Sequence, residues 1–431
     1  MLRDLGRVGK INPKQCHMRW KAMTTQKKAP RFWWWLCGTI TLMALVAVIV
    51  VWQNPWGNLP AGTPRVGSFP IKTGEISKRL LDVIVSPGGE YVACKAVFAA
   101  LPPSRFKTRV VIIPLQVPAP APMWLDTPFL VIGGLTWSPD GSALAFWGQH
   151  QGDRPRIMVC DIQTRLLRAI TVPDKHWLSN HLLEWSPTGE WLAFERQPWP
   201  GSSSLGWDLW VVRPDGSELR QVTNHGLVLP HFGTYWSPDG SQLYYVKQRE
   251  LGKLVGDVYS VNTGVDDKAE ERITHNLDVE YITGASPDGR HLLCVVHGKR
   301  RRSSLPSESG FEENVLYLPI ADPDSAHVVS DNWTTAAFSP NGQEIAYVDY
   351  EYRRDRAGRT ISLADAQRGH ELYKIPLSDI RAKSELARGV RTLAWRGAWT
   401  VQHQVVFVRG DSIWVVNEDG TNQQEIFRLQ D

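Results

Sequence analysis

A Ser-Pro-x-Gly tetrapeptide returns six times in this chain at nearly even intervals. The copies begin at Ser86, Ser138, Ser186, Ser237, Ser286 and Ser339, spaced by 52, 48, 51, 49 and 53 residues. The tetrapeptide is a turn with a mechanism. Proline presets φ at the second position, Asp or Asn tolerates the third, and glycine takes a left-handed fourth. A turn of this kind joins two antiparallel strands. A strand-rich repeat of about fifty residues predicts a β-propeller or a similar array.

The flanks support strands. Trp137, Trp185, Trp236 and Phe338 precede four of the serines, with Val85 and Ala285 before two others. Six residues beyond each serine stand Val92, Leu144, Leu192, Leu243, Leu292 and Ile345. Eight beyond stand Cys94, Phe146, Phe194, Tyr245, Cys294 and Tyr347. These apolar columns alternate with variable ones, as a pleated strand requires. A third strand follows, as in Asp208 to Val212, Asp257 to Val261 and Ser412 to Val416. A fourth ends the unit, as in Leu219 to Thr223 and Glu271 to Thr274. Four strands per copy make one blade.

The stretch from Leu393 to Val408 reads as a seventh copy whose turn has become Arg396-Gly397-Ala398-Trp399. The fold class expected is therefore all-β: a single propeller of seven four-stranded blades, preceded by one transmembrane helix. Six or eight blades are the alternatives, because a terminal blade can be shared between the chain ends.

The segments Trp137 to Gly141 and Leu209 to Ser217 resemble the WD40-like PD40 repeats of TolB-type propellers. The resemblance runs from about Leu80 onward and implies fold more than function. In TolB the propeller follows an α/β domain and binds a periplasmic lipoprotein and colicins; no room for that domain is expected here. Similar propellers precede the hydrolase domain of prolyl oligopeptidase-type peptidases. That domain is not expected either, since no G-x-S-x-G nucleophile elbow occurs in the sequence.

Phe32 to Trp52 is an uncharged run of 21 residues with tryptophans at both ends. At about 1.5 Å per residue it spans roughly 30 Å, the thickness of a bilayer core. Residues 1–31 hold nine Lys/Arg and one acid, a net of +8. The positive-inside rule then predicts a basic cytoplasmic tail (1–31), a signal anchor (32–52) and an exported remainder. A cleaved signal peptide is the rival, with small residues around Ala44 and Ala47. Residues 53–70 are rich in Pro and Gly and read as a linker reaching about 25 Å, which leaves 71–431 for the propeller. The expected location is the cell membrane, single-pass, with the propeller periplasmic or extracellular.

The total charge of +4 leaves −4 for the part beyond residue 31. That mild acidity gives no warrant for nucleic-acid binding. Three cysteines fall in the repeats. Cys94 and Cys294 occupy an apolar column in non-adjacent copies, and Cys160 lies on a third strand, so buried free thiols are expected. His225 and His231 precede the fourth copy, and His176 and His181 the third. Without H-x-H or H-E-x-x-H spacing they read as ordinary loop histidines. No catalytic, metal-binding or cofactor residue is assigned, and no cofactor is expected.

Strand order gives a propeller two faces. Turns between strands one and two, and three and four, share one face and collect Asp140, Asp215, Asp239, Asp266, Asp267, Asp288, Asp322 and Asp324. Loops between strands two and three lie opposite and are more basic. Lys299, Arg300, Arg301, Arg302, Arg353 and Arg354 are the candidate contacts for an anionic partner, against a plainer reading as solvated loops with local ion pairs. His297 to Asn314 reads as the longest insertion, and Trp199 and Trp207 sit on another long loop, either exposed for contact or buried. The expected function is a non-catalytic scaffold binding an envelope protein or an anionic envelope component. The alternative is a propeller lyase or hydrolase acting on anionic polysaccharide with a divalent metal. A sensor signalling through its cytoplasmic tail is a third reading.

Overall fold

Each Ser-Pro-x-Gly copy folds into the same small turn, and the turns set the architecture. The computed structural model describes residues 77–429 apart from 100–106, 116–119, 126, 128, 130, 151–152, 173–176, 199–205, 230–232, 252, 265–268, 300–310, 331–334, 350–369, 380–381 and 395–397. The expected cytoplasmic tail, membrane anchor and linker lie outside the described residues. Among those described, no helix is long and apolar enough to cross a membrane.

In the turn, the glycine N–H donates to the serine carbonyl at 2.8–2.9 Å in all six copies. The serine Oγ accepts the N–H of the residue five positions on, for example Ala143 to Ser138 at 2.9 Å. The same hydroxyl donates to the third side chain of the turn: Asp140 at 2.6 Å, Asp239 at 2.5 Å, Asp288 at 2.6 Å and Asn341 at 2.7 Å. In these four copies serine is donor and acceptor at once.

Every described regular element but one short 3₁₀ turn is a strand. The first unit comprises β1 (Ser77–Val85), β2 (Tyr91–Ala99), β3 (Lys107–Pro114) and β4 (Met123–Leu125). The second holds β5 (Val131–Trp137), β6 (Ala143–Gln149), β7 (Arg156–Asp161) and β8 (Leu167–Ala169). In the third are β9 (Trp177–Trp185), β10 (Leu192–Pro198), β11 (Asp208–Val212) and β12 (Arg220–Gln221). The fourth has β13 (Tyr235–Trp236), β14 (Gln242–Gln248), β15 (Gly256–Asn262) and β16 (Glu270–Arg272). The fifth has β17 (Val279–Ala285), β18 (His291–Lys299), β19 (Phe311–Pro319) and β20 (His327–Ser330). Then come β21 (Ala336–Phe338), β22 (Glu344–Asp349), β23 (His370–Pro376) and β24 (Ser384–Val390) in the sixth. The last unit is β25 (Thr392–Leu393), β26 (Gln404–Arg409), β27 (Ser412–Asn417) and β28 (Gln424–Arg428). Within each unit, strands pair antiparallel in chain order. Five units are separate four-stranded sheets, and units four and five join through the single pair Gly256↔Val279 to make an eight-stranded one. Unit six packs on unit five, with Thr283 donating to the Ala336 carbonyl at 3.0 Å.

The first strands of successive units face one another. Trp185 N–H donates to Thr136 Oγ1 at 3.3 Å, Trp236 Nε1–H to the Glu184 carbonyl at 3.3 Å, and Tyr235 O–H to the Thr283 carbonyl at 2.7 Å. Trp399 Nε1–H reaches the Ala337 carbonyl at 3.4 Å. The first and last units meet as well. One apolar core holds Leu80, Val92 and Val111 together with Val405, Phe407 and Ile413. Arg391 donates to the Leu80 carbonyl, and the Trp124 and Phe427 rings lie 6.2 Å apart. The column eight residues past each serine is buried throughout, from Cys94 at 0% exposure to Tyr347 at 3%.

A second repeated device closes the outer strand. A threonine just past the fourth strand accepts the N–H of a third-strand residue: Ile157 to Thr171 at 2.8 Å, Leu209 to Thr223 at 3.0 Å and Val258 to Thr274 at 2.9 Å.

Two expectations change. The turn that joins the first two strands of the seventh unit is Thr400 to His403, whereas Arg396 and Gly397 of the expected one lie outside the described residues. His403 N–H donates to the Thr400 carbonyl at 3.1 Å, and Thr400 Oγ1 accepts from Gln404 N–H at 3.2 Å. Trp399 fills the tryptophan column, threonine replaces serine, and His403 takes the left-handed position with φ 58°. The long insertion is also shorter than expected, because β18 and β19 stay paired out to Lys299↔Phe311.

Candidate functional site

The strand directions place both kinds of short turn on one face, as the sequence implies. The residue after a third strand donates to the turn between strands one and two: Leu115 to Glu90 at 2.8 Å, Ile162 to Ser142 at 2.9 Å, and Ile320 to Arg290 at 2.9 Å. Asp140, Asp215, Asp239, Asp288, Asp322 and Asp324 are all exposed on this face; Asp266 and Asp267 lie outside the described residues. Four of them, Asp140, Asp215, Asp239 and Asp288, have their charge firmly held. The Ser138 hydroxyl, then the Ser142 N–H, keep the Asp140 carboxyl below the usual range. Ser237 does the same for Asp239, Ser286 for Asp288 and Ser217 for Asp215. These carboxylates stay ionised, but each is committed to its own turn.

On the opposite face, Lys299 ends β18, and Arg300, Arg301, Arg302, Arg353 and Arg354 lie outside the described residues. What the structure fixes is where their segments spring from. β18 leads into one, β22 into the other, and both strands run to the same face of successive units. The described basic residues of this face are largely paired locally. Arg156 meets Asp153 at 2.5 Å, and Arg249 meets Asp257 at 2.9 Å and Asp278 at 2.6 Å.

Two ionisable clusters went unnoticed as clusters in the sequence. In the first, Asp257 at the start of β15 is buried and receives Arg249, Arg272 at 2.7 Å and the Leu277 N–H at 3.2 Å. Burial opposes its ionisation, but Arg249, Leu277 and Arg272 together outweigh burial and hold the carboxyl below its ordinary range. The hydrogen bond to Asp257 in turn raises the Arg249 guanidinium.

The second cluster lies between units three and four. Leu227 N–H donates to His225 Nδ1 at 3.0 Å, which leaves the proton on Nε2. That nitrogen is 3.1 Å from Tyr245 Oη and 3.2 Å from Glu270 Oε1. Tyr245 also donates to Glu270, and Lys247 Nζ lies 2.6 Å from Glu270 Oε2. Burial, and then the charge of Lys247, push the His225 imidazole down to about 4. Burial also raises the Glu270 and Asp208 carboxyls. The bonded partners stand 20 to 45 residues apart in sequence, and a single sequence carries no signal that joins them.

Other expectations resolve more simply. Cys94, Cys160 and Cys294 are buried free thiols, and burial, then Asp161, lift Cys160 to about 11. Trp207 is buried in the core between units three and four; Trp199, His176 and His231 lie outside the described residues. Among the described residues, no group of three His, Cys, Asp or Glu could hold a metal ion. A cleft of about 230 Å³ lies between units four and five, lined by Gln242, Tyr244, Ser260, Glu271, Arg272 and Ile320. It is smaller than an ordinary ligand pocket.

Comparison with solved structures shows a β-propeller. The chain is similar to the β-propeller domain of the trilobed protease from Pyrococcus furiosus, at 15% identity and a TM-score of 0.55, covering 81% of this chain and 95% of that one. It is similar to oligogalacturonate lyase from Vibrio parahaemolyticus at 12% identity and a TM-score of 0.52, covering 81% and 90%. TolB from Acinetobacter baumannii matches at 19% identity and a TM-score of 0.45, over 72% of this chain and 63% of that one, which is less than two thirds of TolB. No protein-family model matches the sequence, and no curated protein does either.

Proposed function

We propose that this protein is a seven-bladed propeller, held at the outer side of a membrane by its N-terminal segment, that acts as a non-catalytic binding scaffold. The observation that carries the reading is where the ionisable clusters are spent. Asp257 is consumed by Arg249 and Arg272, and His225, Tyr245, Glu270 and Lys247 close on one another between two units. Both clusters stitch the fold. What remains for recognition is the rim: fixed acidic turns on one face and longer, more basic segments on the other.

The blade count rests on the seven four-strand units and on the core shared by the first and last. The partner proposed is an envelope protein or an anionic envelope component, met by Lys299, Arg300, Arg301, Arg302, Arg353 and Arg354. The full chain, immobilised in detergent, should capture a partner from envelope extract at low salt and lose it as salt rises. Capture of nothing at any ionic strength counts against the reading.

The likeness in fold to oligogalacturonate lyase makes the enzyme alternative worth one assay. Purified protein carrying stoichiometric divalent metal, with cleavage of a uronate oligomer, would replace the scaffold reading.

A further inference from the structure

We infer that Leu251, Lys253 and Leu254, between β14 and β15, dip into the headgroup zone of an anionic bilayer, so that the face opposite the acidic turns lies on the membrane. The inference rests on the membrane-anchored reading and adds to it which side of the propeller the anchor turns inward.

Strand direction is the first ground. β1 runs toward the turn at Ser86, so it begins on the opposite face, where β14 hands over to β15 through this loop. The chain therefore enters the propeller on the loop's side. From Trp52, the end of the apolar run, to Ser77 is 25 residues. A flexible coil of that length reaches about 30 Å. An anchor so short, attached to one face, favours that face toward the bilayer.

The loop's composition is the second. Leu251 and Leu254 are 56% and 53% exposed, with exposed Lys253 between them. Paired apolar side chains flanking a cation suit an interface where leucine enters the acyl boundary and lysine stays among phosphates. Val131 and Val172, also exposed, lie on the same face. The turn face exposes Leu166, Leu219 and Val401, but among carboxylates that are ionised, and an anionic surface repels it. Two leucines bind a membrane weakly in free solution. On a tether, the local lipid concentration is high enough that weak insertion suffices to set orientation.

The test uses the full chain in phosphatidylcholine–phosphatidylglycerol nanodiscs, with Cys16 and Cys37 replaced by serine. An environment-sensitive fluorophore is placed at Glu250→Cys or, on the turn face, at Glu190→Cys. Brominated lipid should quench the first at least about twofold more than the second, and Leu251→Ser with Leu254→Ser should erase the difference. Equal quenching at both sites, in protein that resists alkaline carbonate extraction, overturns the inference and leaves the anchor standing. Protein released by carbonate overturns the anchor, and the inference with it.

Discussion

A Cβ placed on Gly289 would lie 2.6 Å from Pro238 Cδ in the preceding unit's turn. Gly240 stands in the same relation to Thr188 at 2.9 Å, and Gly342 to Pro287 at 3.4 Å. Gly141 has the same left-handed backbone, φ 71° against 70°, but nothing within 4 Å. The pair separates backbone strain from a contact between units. Gly141→Ala should cost about 1 kcal/mol, from the left-handed backbone alone. Gly289→Ala should cost roughly 2–3 kcal/mol, because proline must also give way. Equal losses in denaturant unfolding would show that the turns do not touch.

The threonine device gives a second expectation. Thr223→Val leaves the Leu209 N–H buried without its acceptor, at a cost of about 1–3 kcal/mol. Thr171→Val should cost less, because Thr223 also donates to Asp208 at 2.9 Å. Unfolding of the two variants side by side checks the order; a reversed order refutes the assignment.

Asp257→Ala takes the carboxylate from Arg272 and leaves Arg249 with Asp278 alone, and should destabilise by roughly 1–3 kcal/mol. The charged carboxylate is favoured in the folded state, so its folded pKa lies below the unfolded one. Its contribution is present above the unfolded value near 4 and disappears as pH falls through the lower folded one. Wild type should therefore lose more stability than Asp257→Ala between about pH 4 and pH 2. Parallel curves would mean that the buried pair does not form.

His225 behaves in the same direction for the opposite charge. Its folded pKa, about 4, lies below the ordinary imidazole value, so the fold favours the neutral ring. The unfolded chain takes up the proton first. Stability is full above about 6.5 and falls as the pH drops toward 4. The side chain keeps 20% exposure, so screening by water limits the loss to about 1–2 kcal/mol. His225→Gln should flatten the stability curve in that window; an unchanged slope assigns it to other groups.

Replacing Lys299, Arg300, Arg301, Arg302, Arg353 and Arg354 by glutamine should weaken capture of the envelope partner and shrink its salt dependence. The melting temperature should hardly move, since loop charges that serve recognition contribute little to folding. Unaltered capture would shift recognition to another surface.

Much of the architecture could be read in advance because the repeat spells its turns in residues with few alternatives. Serine must both give and take a hydrogen bond, proline fixes one dihedral, and glycine takes a sign of φ that other residues avoid. Where those letters change, reading fails. Thr400 to His403 makes the same turn with no proline and no glycine, and the usable signal was Trp399 beside a hydroxyl, five residues ahead of the Val405–Phe407 strand. The face assignment followed from strand count alone. The Asp257 and His225 networks did not, because their members come together only when the strands of unit four pair and the segments at His225 and Leu277 fold against it, and no local pattern in a sequence encodes that meeting.

The turn contacts have a genealogical consequence. From the fourth copy to the sixth, each glycine rests on the proline or threonine of the copy before it, so one copy can carry both halves of a joint. Duplicating or losing one copy would rebuild the junction on either side without any compensating substitution. Between the first and last units the joint is made from unlike parts, with Gly89 resting against Thr400 and Val401.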